Sequence, residues 1–311
     1  MSQTDKADHF ALVGCTASGK STLALELVRC LSQDGPPVEL VSVDSMQVYR
    51  GMDIGTAKPS ADEQAEVAHH LINLVEPDED FTVTRYQAAA RTALDAIETR
   101  GHRALLVGGT GLYFQAIVDK LTPPGQYPEL RAELEGEADN AALYRRLEHV
   151  DPLAASRTDA RNRRRILRAL EVTLGSGRPF STFGPGIGAY PATGFRLTGL
   201  WLPRAAVSGR IGQRFAAMLS AGLIDEVRSL AARPGGLSRT ARQALGYREV
   251  LGHLEGTTSL DQALADAVKR TRAFARRQRM WWRRDPRITW YGAAENPLAV
   301  LPALLGDWRS P

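Results

Sequence analysis

The sequence has 311 residues, of which 43% are hydrophobic and 24% are charged, and its formal net charge is +4. This length suits one large domain or a core with an insertion, and no run of about 18 apolar residues predicts a membrane span. The first ten residues, MSQTDKADHF, lack the basic and then apolar blocks of a secretory signal. We therefore expect a cytoplasmic protein with no membrane contact.

Short apolar runs alternate with helix-like segments along the first part of the chain. Apolar runs of this length that end in glycine or aspartate are typical of buried parallel strands. The predicted elements are a strand at 9–13, a helix at 21–33, a strand at 38–44, a helix at 84–100 and a strand at 104–109. This alternation predicts an α/β fold in which helices flank a parallel sheet and ligand loops lie at the carboxyl ends of the strands.

The pattern changes near Leu121, where the stretch TPPGQYP reads as a linker. Residues 128–176 predict helices, and a Gly/Pro-rich connection follows at 176–194. Residues 195–203 alternate like a strand that rejoins the sheet, and 287–291 predict a short final strand. We therefore expect a core formed by 1–120 and 195–311, with a mainly helical insertion at 121–194.

One glycine-rich loop joins the first predicted strand to its helix. It matches G-x-x-x-x-G-K-[ST] in full and in the required context. Backbone N–H groups of such a loop, with the helix N-terminus, bind a phosphate or pyrophosphate, while the lysine adds a full charge and the serine hydroxyl can bind Mg²⁺. The predicted anion-binding residues of this P-loop are Gly14, Cys15, Thr16, Ala17, Ser18, Gly19, Lys20 and Ser21, with Ser21 as the metal ligand.

The phosphate loop alone is also typical of NTPases and nucleotide kinases. That class needs an aspartate at the end of an apolar strand to hold Mg²⁺, and the strand ALLVGG at 104–109 ends without an acid. Asp44 does end a strand, but a polar segment with an aromatic residue follows it.

Basic residues are concentrated in two runs. Residues 161–168 (RNRRRILR) contain five arginines, and 269–284 (KRTRAFARRQRMWWRR) contain eight basic residues, with no acid in either run. A single run of this kind is often only a solvated helix face. Two runs in one chain favour a polyanionic partner such as a nucleic acid.

The chain resembles the tRNA dimethylallyltransferase family along nearly its whole length. The segments that carry the resemblance are GCTASGKS (14–21), DSMQVYRGMDIGTAKP (44–59), HHLIN (69–73), VGGTGLYFQA (107–116), RRILRALEV (164–172), RFAAML (214–219), QALGYRE (243–249) and TRAFARRQRMW (271–281). The resemblance implies a P-loop NTPase-like core that transfers a dimethylallyl group from dimethylallyl pyrophosphate to the exocyclic N6 of the adenosine just 3′ of the anticodon in tRNA. It implies Mg²⁺ as cofactor, the tRNA anticodon loop as partner, and a monomer.

The same resemblance assigns roles to residues at the reacting centre. Asp44 corresponds to the general base for the attacking amine, which is a poor nucleophile because its lone pair is delocalised into the ring. Thr110 corresponds to a hydroxyl beside the reacting atoms, although a helix-capping threonine is the alternative. Arg214 corresponds to an arginine that holds the pyrophosphate through its guanidinium fork.

Further positions correspond to residues of the family that contact tRNA. Gln47 carries the donor and acceptor needed to read a base edge, and Tyr247 could stack on a base or pack in the core. The whole predicted tRNA-binding set is Ser45, Met46, Gln47, Arg131, Arg164, Arg165, Arg168, Gln243, Tyr247 and Arg248.

Several alternatives stay open at this stage. A nucleotide kinase and a prenyltransferase for free adenine nucleotides share the loop chemistry, and an RNA-binding module without activity shares the basic runs. Cys15 stands where the family usually has proline, so it is either a reactive thiol or a small residue that fits. Of Trp281 and Trp282, we expect at least one to pack in the core rather than serve RNA as a stacking surface.

Overall fold

The computed structural model describes residues 9–33, 35–184 and 186–309. The first eight residues, on which the expectation of no secretory signal largely depends, lie outside the described residues. The described residues form a sheet of six strands, β1 (His9–Val13), β2 (Val38–Val43), β3 (His69–His70), β4 (Arg103–Gly108), β5 (Phe195–Trp201) and β6 (Thr289–Gly292). Among the described helices, none combines the length and the hydropathy that a membrane-spanning helix needs.

All six strands run parallel in the order β3-β2-β4-β1-β5-β6. Every residue of β1 and β2 is buried, as expected for strands that helices cover on both faces. Both edge strands are short, with two residues in β3 and four in β6. The predicted α/β fold with a parallel sheet is confirmed.

The described part of the chain also contains thirteen α-helices. In chain order they are α1 (Lys20–Leu31), α2 (Ala61–Glu66), α3 (Val83–Thr99), α4 (Gly111–Val118), α5 (Pro128–Gly136), α6 (Asn140–Val150), α7 (Pro152–Ser156), α8 (Arg163–Ser176), α9 (Arg204–Ser220), α10 (Leu223–Ala231), α11 (Tyr247–Leu254), α12 (Leu260–Trp282) and α13 (Leu301–Arg309).

The predicted strands and helices of the first half agree with the structure to within one or two residues at most ends. The strand β3 was not predicted, because His69 and His70 form no apolar run. Consequently the strand that ends at Gly108 is the fourth along the chain and not the third. Residues 195–201 do rejoin the sheet, next to β1.

The described residues divide into two compact units. Residues 120–189 form one unit, and the rest of the described chain forms the other. The smaller unit has its own core, in which Leu134, Leu143, Leu147, Ile166 and Leu170 pack together. In the larger unit α1 places Leu23, Leu27 and Leu31 on one face by their spacing of four residues, and all three are buried.

Candidate active site

Three loops begin side by side at the carboxyl edge of the sheet. Val13 at the end of β1 and Val43 at the end of β2 both pair with Gly108 of β4. The residues that follow these ends are the first glycine of the phosphate loop, Asp44, and Gly109 with Thr110. The sheet register therefore brings the predicted anion site and both predicted catalytic residues to one place.

The phosphate loop turns through two residues in the left-handed region, Ala17 at φ 59° and Gly19 at φ 86°. A Cβ atom at Gly19 would lie 2.5 Å from Cγ of Pro297, so a side chain there would be strained by the backbone and by its neighbour. The helix α1 then starts at Lys20 without an acid in its first turn. Its N-terminus therefore keeps the partial positive charge that favours an anion.

Two cations of this edge carry lowered pKa values. Burial lowers the pKa of Lys20, while the charge of Asp44 opposes that shift, and Nζ donates to the carbonyl oxygen of Cys15 at 3.4 Å. Burial also lowers the pKa of Arg214, again against the effect of Asp44, and Nη1 donates to Oγ1 of Thr16 at 3.4 Å. Both cations therefore lie within electrostatic reach of the Asp44 carboxylate and beside the phosphate loop.

Asp44 and Thr110 are held by backbone contacts. Oδ1 of Asp44 accepts from the N–H of Met46 at 2.8 Å, whereas Oδ2 accepts no hydrogen bond from the described residues. Thr110 precedes α4 but does not cap it through its side chain; instead its Oγ1 accepts from the N–H of Ser45 at 3.2 Å. The N–H of Thr110 donates to Val43 at 3.2 Å, which ties the two loops together.

Ser21 is the residue for which a metal-binding role was predicted. It is exposed in the first turn of α1, and no described group of three His, Cys, Asp or Glu residues could hold a metal ion. Mg²⁺ commonly takes one or two protein ligands and fills its other positions with water and phosphate oxygens. A single serine hydroxyl beside a phosphate loop fits that pattern.

Cys15 is only 3% exposed. Its burial favours the alternative that it is a small residue that fits the loop rather than an accessible thiol.

Two residues of this edge were missed in the sequence. Arg210 donates from Nε to the carbonyl oxygen of Ala17 at 3.0 Å, and its position four residues before Arg214 on α9 could have indicated that both face the loop. Gln278, on α12, accepts from the N–H of Thr16 at 2.8 Å and donates to Gly109 at 2.9 Å. Gln278 lies in the segment TRAFARRQRMW that carries the family resemblance, but no local pattern indicated these contacts.

The segment after Asp44 folds back on itself. Oε1 of Gln47 accepts from the hydroxyl of Ser42 at 2.7 Å, and Nε2 donates to the carbonyl oxygens of Thr56 and Ala57 at 3.4 and 3.2 Å. In this structure the amide of Gln47 is thus engaged within the protein. Ser45 and Met46 are partly exposed.

Tyr247 is fully buried, and its hydroxyl donates to Glu226. Burial, followed by the charge of Glu226, raises the pKa of this tyrosine above its ordinary value. The same carboxylate accepts from the N–H groups of Asp53, Ile54 and Gly55. Of the two alternatives for Tyr247, core packing is therefore the one observed, and stacking on a base would need the ring to leave its site.

Gln243 and Arg248 are exposed near the start of α11, where Nη1 of the arginine donates to Oε1 of the glutamine at 3.4 Å. They are thus available to a partner, unlike Tyr247.

The four predicted arginines of the smaller unit fall into two pairs. Arg131 and Arg168 both pair with the buried carboxylate of Glu171, at 3.7 and 2.7 Å. Arg164 and Arg165 are exposed in the first turn of α8 and pair with no acid among the described residues. Only the second pair presents uncompensated charge.

The second basic run forms part of α12 and faces α9 across a groove of about 330 Å³. Val207, Ile211 and Ala275 contribute its apolar lining. Its exposed cations are Arg204, Lys269, Arg272 and Arg276. Trp282, near the end of α12, is 1% exposed and packs against Phe114, which confirms that at least one of the two tryptophans belongs to the core.

Comparison with known proteins gives consistent matches. Residues 47–285 match the family model described as IPP transferase. The chain is 42% identical to the tRNA dimethylallyltransferase of Bifidobacterium animalis subsp. lactis, over 98% of this chain and 90% of that protein. It is 45% identical to the tRNA dimethylallyltransferase of Kineococcus radiotolerans, over 92% and 91% of the two chains. Among solved structures, the full-length tRNA isopentenylpyrophosphate transferase of Bacillus halodurans is 34% identical with a TM-score of 0.69, over 97% and 96%.

Proposed function

The chain belongs to the IPP transferase family, whose curated members are named tRNA dimethylallyltransferase, and we propose that the carboxyl edge of its sheet performs the reaction of that family. The protein is a prenyltransferase that modifies adenosine 37 of tRNA. In the reaction the exocyclic N6 of the adenine attacks C1 of dimethylallyl pyrophosphate. The C1–O bond breaks, the N6–C1 bond forms, pyrophosphate leaves and N6 loses one proton.

We propose Asp44 as the base that takes this proton. The observation that carries the proposal is its position: it follows β2 at the same edge of the sheet as the phosphate loop, it lies within electrostatic reach of Lys20 and Arg214, and its Oδ2 accepts no hydrogen bond from the described residues. Its Oδ1 is fixed by the N–H of Met46, so the free oxygen can be aimed at an amine. Proton transfer by a positioned carboxylate typically contributes about 10²–10⁴ in rate.

The leaving group needs its developing charge neutralised. Three kinds of group would do this, since they converge on one edge: the N–H groups of the loop Gly14–Ser21 that are not bonded within the protein, the ammonium of Lys20 and the guanidinium of Arg214. Thr110 would stand beside the reacting atoms. A divalent cation serves prenyl transfer by neutralising pyrophosphate, and we propose Mg²⁺ with Ser21 as its protein ligand.

We further propose that the insertion at 121–194 is a tRNA-binding domain. Arg164 and Arg165 lie in the first turn of α8, where a cation is disfavoured by about 0.3–1 kcal/mol because the helix dipole is positive there. This cost, which no acid among the described residues offsets, is explained if a phosphate of the RNA is the partner. Arg131 and Arg168, which pair with Glu171, would mainly shape this surface.

The larger unit offers further candidates for tRNA contact. They are the exposed Gln243 and Arg248, the cations that line the groove between α9 and α12, and the partly exposed Ser45 and Met46. Gln47 and Tyr247 would act indirectly in the conformation observed, by holding the loops around Asp44. Because tRNA is the substrate, we propose that the protein acts in the cytoplasm, as a monomer.

The test is an assay of product on different acceptors. The protein is incubated with dimethylallyl pyrophosphate and Mg²⁺ together with unmodified tRNA, with AMP or with ATP, and the products are digested and analysed for N6-prenyladenosine. We expect product on tRNA alone. Product on AMP in preference to tRNA, or phosphoryl transfer from ATP, would overturn the proposal.

A further inference from the structure

One buried amide joins the two loops between which the reaction is proposed to occur. Gln278, on α12, is 7% exposed. Its Oε1 accepts from the N–H of Thr16 in the phosphate loop at 2.8 Å, and its Nε2 donates to the carbonyl oxygen of Gly109 after β4 at 2.9 Å. Both polar ends of the side chain are therefore used, and each end holds a different strand end.

The contact with Gly109 is close. A Cβ atom at this position would lie 2.2 Å from Nε2 of Gln278, so a side chain there would force the amide away. The next residue, Thr110, is bonded through Oγ1 to the N–H of Ser45 and through its N–H to Val43. A displacement of Gln278 would thus reach the backbone on both sides of Asp44.

The contact with Thr16 affects the anion site. Because the N–H of Thr16 donates to Gln278, it is not directed at a bound phosphate, and the hydroxyl of Thr16 accepts from Arg214 at 3.4 Å. The amide therefore fixes the part of the loop that carries the arginine contact. Loss of the side chain would remove the bonds to the partly buried N–H of Thr16 and to the buried carbonyl oxygen of Gly109, and an unmet bond of this kind costs free energy.

We propose that Gln278 is a positioning residue for prenyl transfer, which sets the separation between the pyrophosphate site and the Asp44 base. The inference rests on the proposed function and deepens it. Both polar ends of the Gln278 amide are bonded to the backbone of the two loops, so its effect is geometric: a shift of about 1 Å between reacting groups can cost about 10²-fold in rate.

The variant Gln278→Ala tests the proposal. We expect kcat on tRNA to fall about 10- to 100-fold, while KM for dimethylallyl pyrophosphate and Kd for tRNA change less than about 3-fold, since the binding groups remain. Gln262→Ala is the matched control, because Gln262 is exposed on the same helix. An unchanged kcat would overturn the positioning role.

A second variant separates positioning from a merely structural role. In Gln278→Glu the ionised carboxylate can still accept from the N–H of Thr16, but it cannot donate to the carbonyl oxygen of Gly109 and is repelled by it. The protonated acid can donate to that oxygen, as the amide does. We expect the ratio of its kcat to that of the wild type to rise as pH falls from about 8 to about 6. A ratio that does not change with pH would overturn the proposal, and so would a loss explained by lowered Tm alone.

Two outcomes distinguish a failure of the proposed function from a failure of the role of Gln278. A wild type that forms no N6-prenyladenosine on tRNA would refute the proposed function and the role of Gln278 with it. An active wild type whose Gln278 variants match it would refute only the role of Gln278.

Discussion

The reacting edge of the sheet and the first turn of α8 hold positive charge in opposite ways. At the edge, Lys20 and Arg214 are partly buried, have lowered pKa values and lie within electrostatic reach of Asp44, and they donate to the carbonyl oxygen of Cys15 and to the hydroxyl of Thr16 respectively. On α8, Arg164 and Arg165 are exposed and have no acidic partner among the described residues. The charges at the edge are held in place by contacts within the protein, whereas those on α8 are exposed to solvent.

This difference separates two tasks. Fixed charges with little water around them act strongly on a transition state, because they need no reorganisation when the bond breaks. Exposed charges act over a longer range, are screened by salt and tolerate variation in the partner. We therefore expect substitutions at the edge to change kcat and those on α8 to change salt-dependent affinity.

The largest effect should follow Asp44→Asn. The amide keeps the contact with the N–H of Met46 but cannot take a proton, so kcat should fall about 10²–10⁴-fold while Kd for tRNA is retained. Single-turnover kinetics and tRNA binding measure the two quantities. Asp95→Asn, on the exposed face of α3, is the control, and wild-type turnover in Asp44→Asn would remove the base assignment.

The next effect is a pH dependence that comes from Lys20. Burial lowers its pKa from the ordinary 10.5, so the ammonium loses its proton as pH rises through that lowered value. The kcat/KM for dimethylallyl pyrophosphate should therefore fall on the alkaline side below pH 10.5, and kcat should hold to higher pH because bound pyrophosphate stabilises the ammonium.

Lys20→Arg is the comparison for this profile. Its guanidinium stays charged, so whatever activity remains should lose the alkaline fall. If kcat/KM of Lys20→Arg fell at alkaline pH as it does in the wild type, a group other than Lys20 would be responsible. The difference inferred between the edge and α8 would then be smaller.

A smaller effect is expected on α8. Arg164→Ala and Arg165→Ala should each weaken tRNA binding at low salt and leave kcat at saturating tRNA unchanged. The slope of log K against log salt is negative, and its magnitude should fall by about 0.7–0.9 for each lost phosphate contact. Arg145→Ala, an exposed arginine of α6 whose partner is Asp139, serves as the control. A loss of kcat with an unchanged salt slope would erase the distinction between the two regions.

The smallest effect should be that of Cys15→Ala. The thiol is buried, so removing its sulfur should change turnover by less than about 3-fold, and alkylating reagents should inactivate the native protein slowly. Rapid inactivation that pyrophosphate prevents would instead mark Cys15 as reactive and as accessible from the anion site.

Local patterns predicted the parts of the site that follow strands. Apolar runs and the phosphate-loop motif predicted β1, β2 and β4 and the residues after them. The missing information concerned distance along the chain: Gln278 meets Thr16 across 262 positions, and no periodicity signals such a contact. The hydrogen-bond partners of side chains could not be predicted either. Nothing in the local sequence indicates that the amide of Gln47 bonds to Ser42 and Thr56, or that Glu226 holds the loop at 53–55.

The short edge strands have a consequence for the protein in concentrated solution. An exposed long strand offers unpaired N–H and C=O groups that can template pairing with a second molecule. Here β3 spans two residues and β6 four, so each border of the sheet presents only a few such groups. A second molecule therefore finds few free backbone groups with which to add a strand, and the short edge strands keep the apolar central strands from amyloid-like stacking.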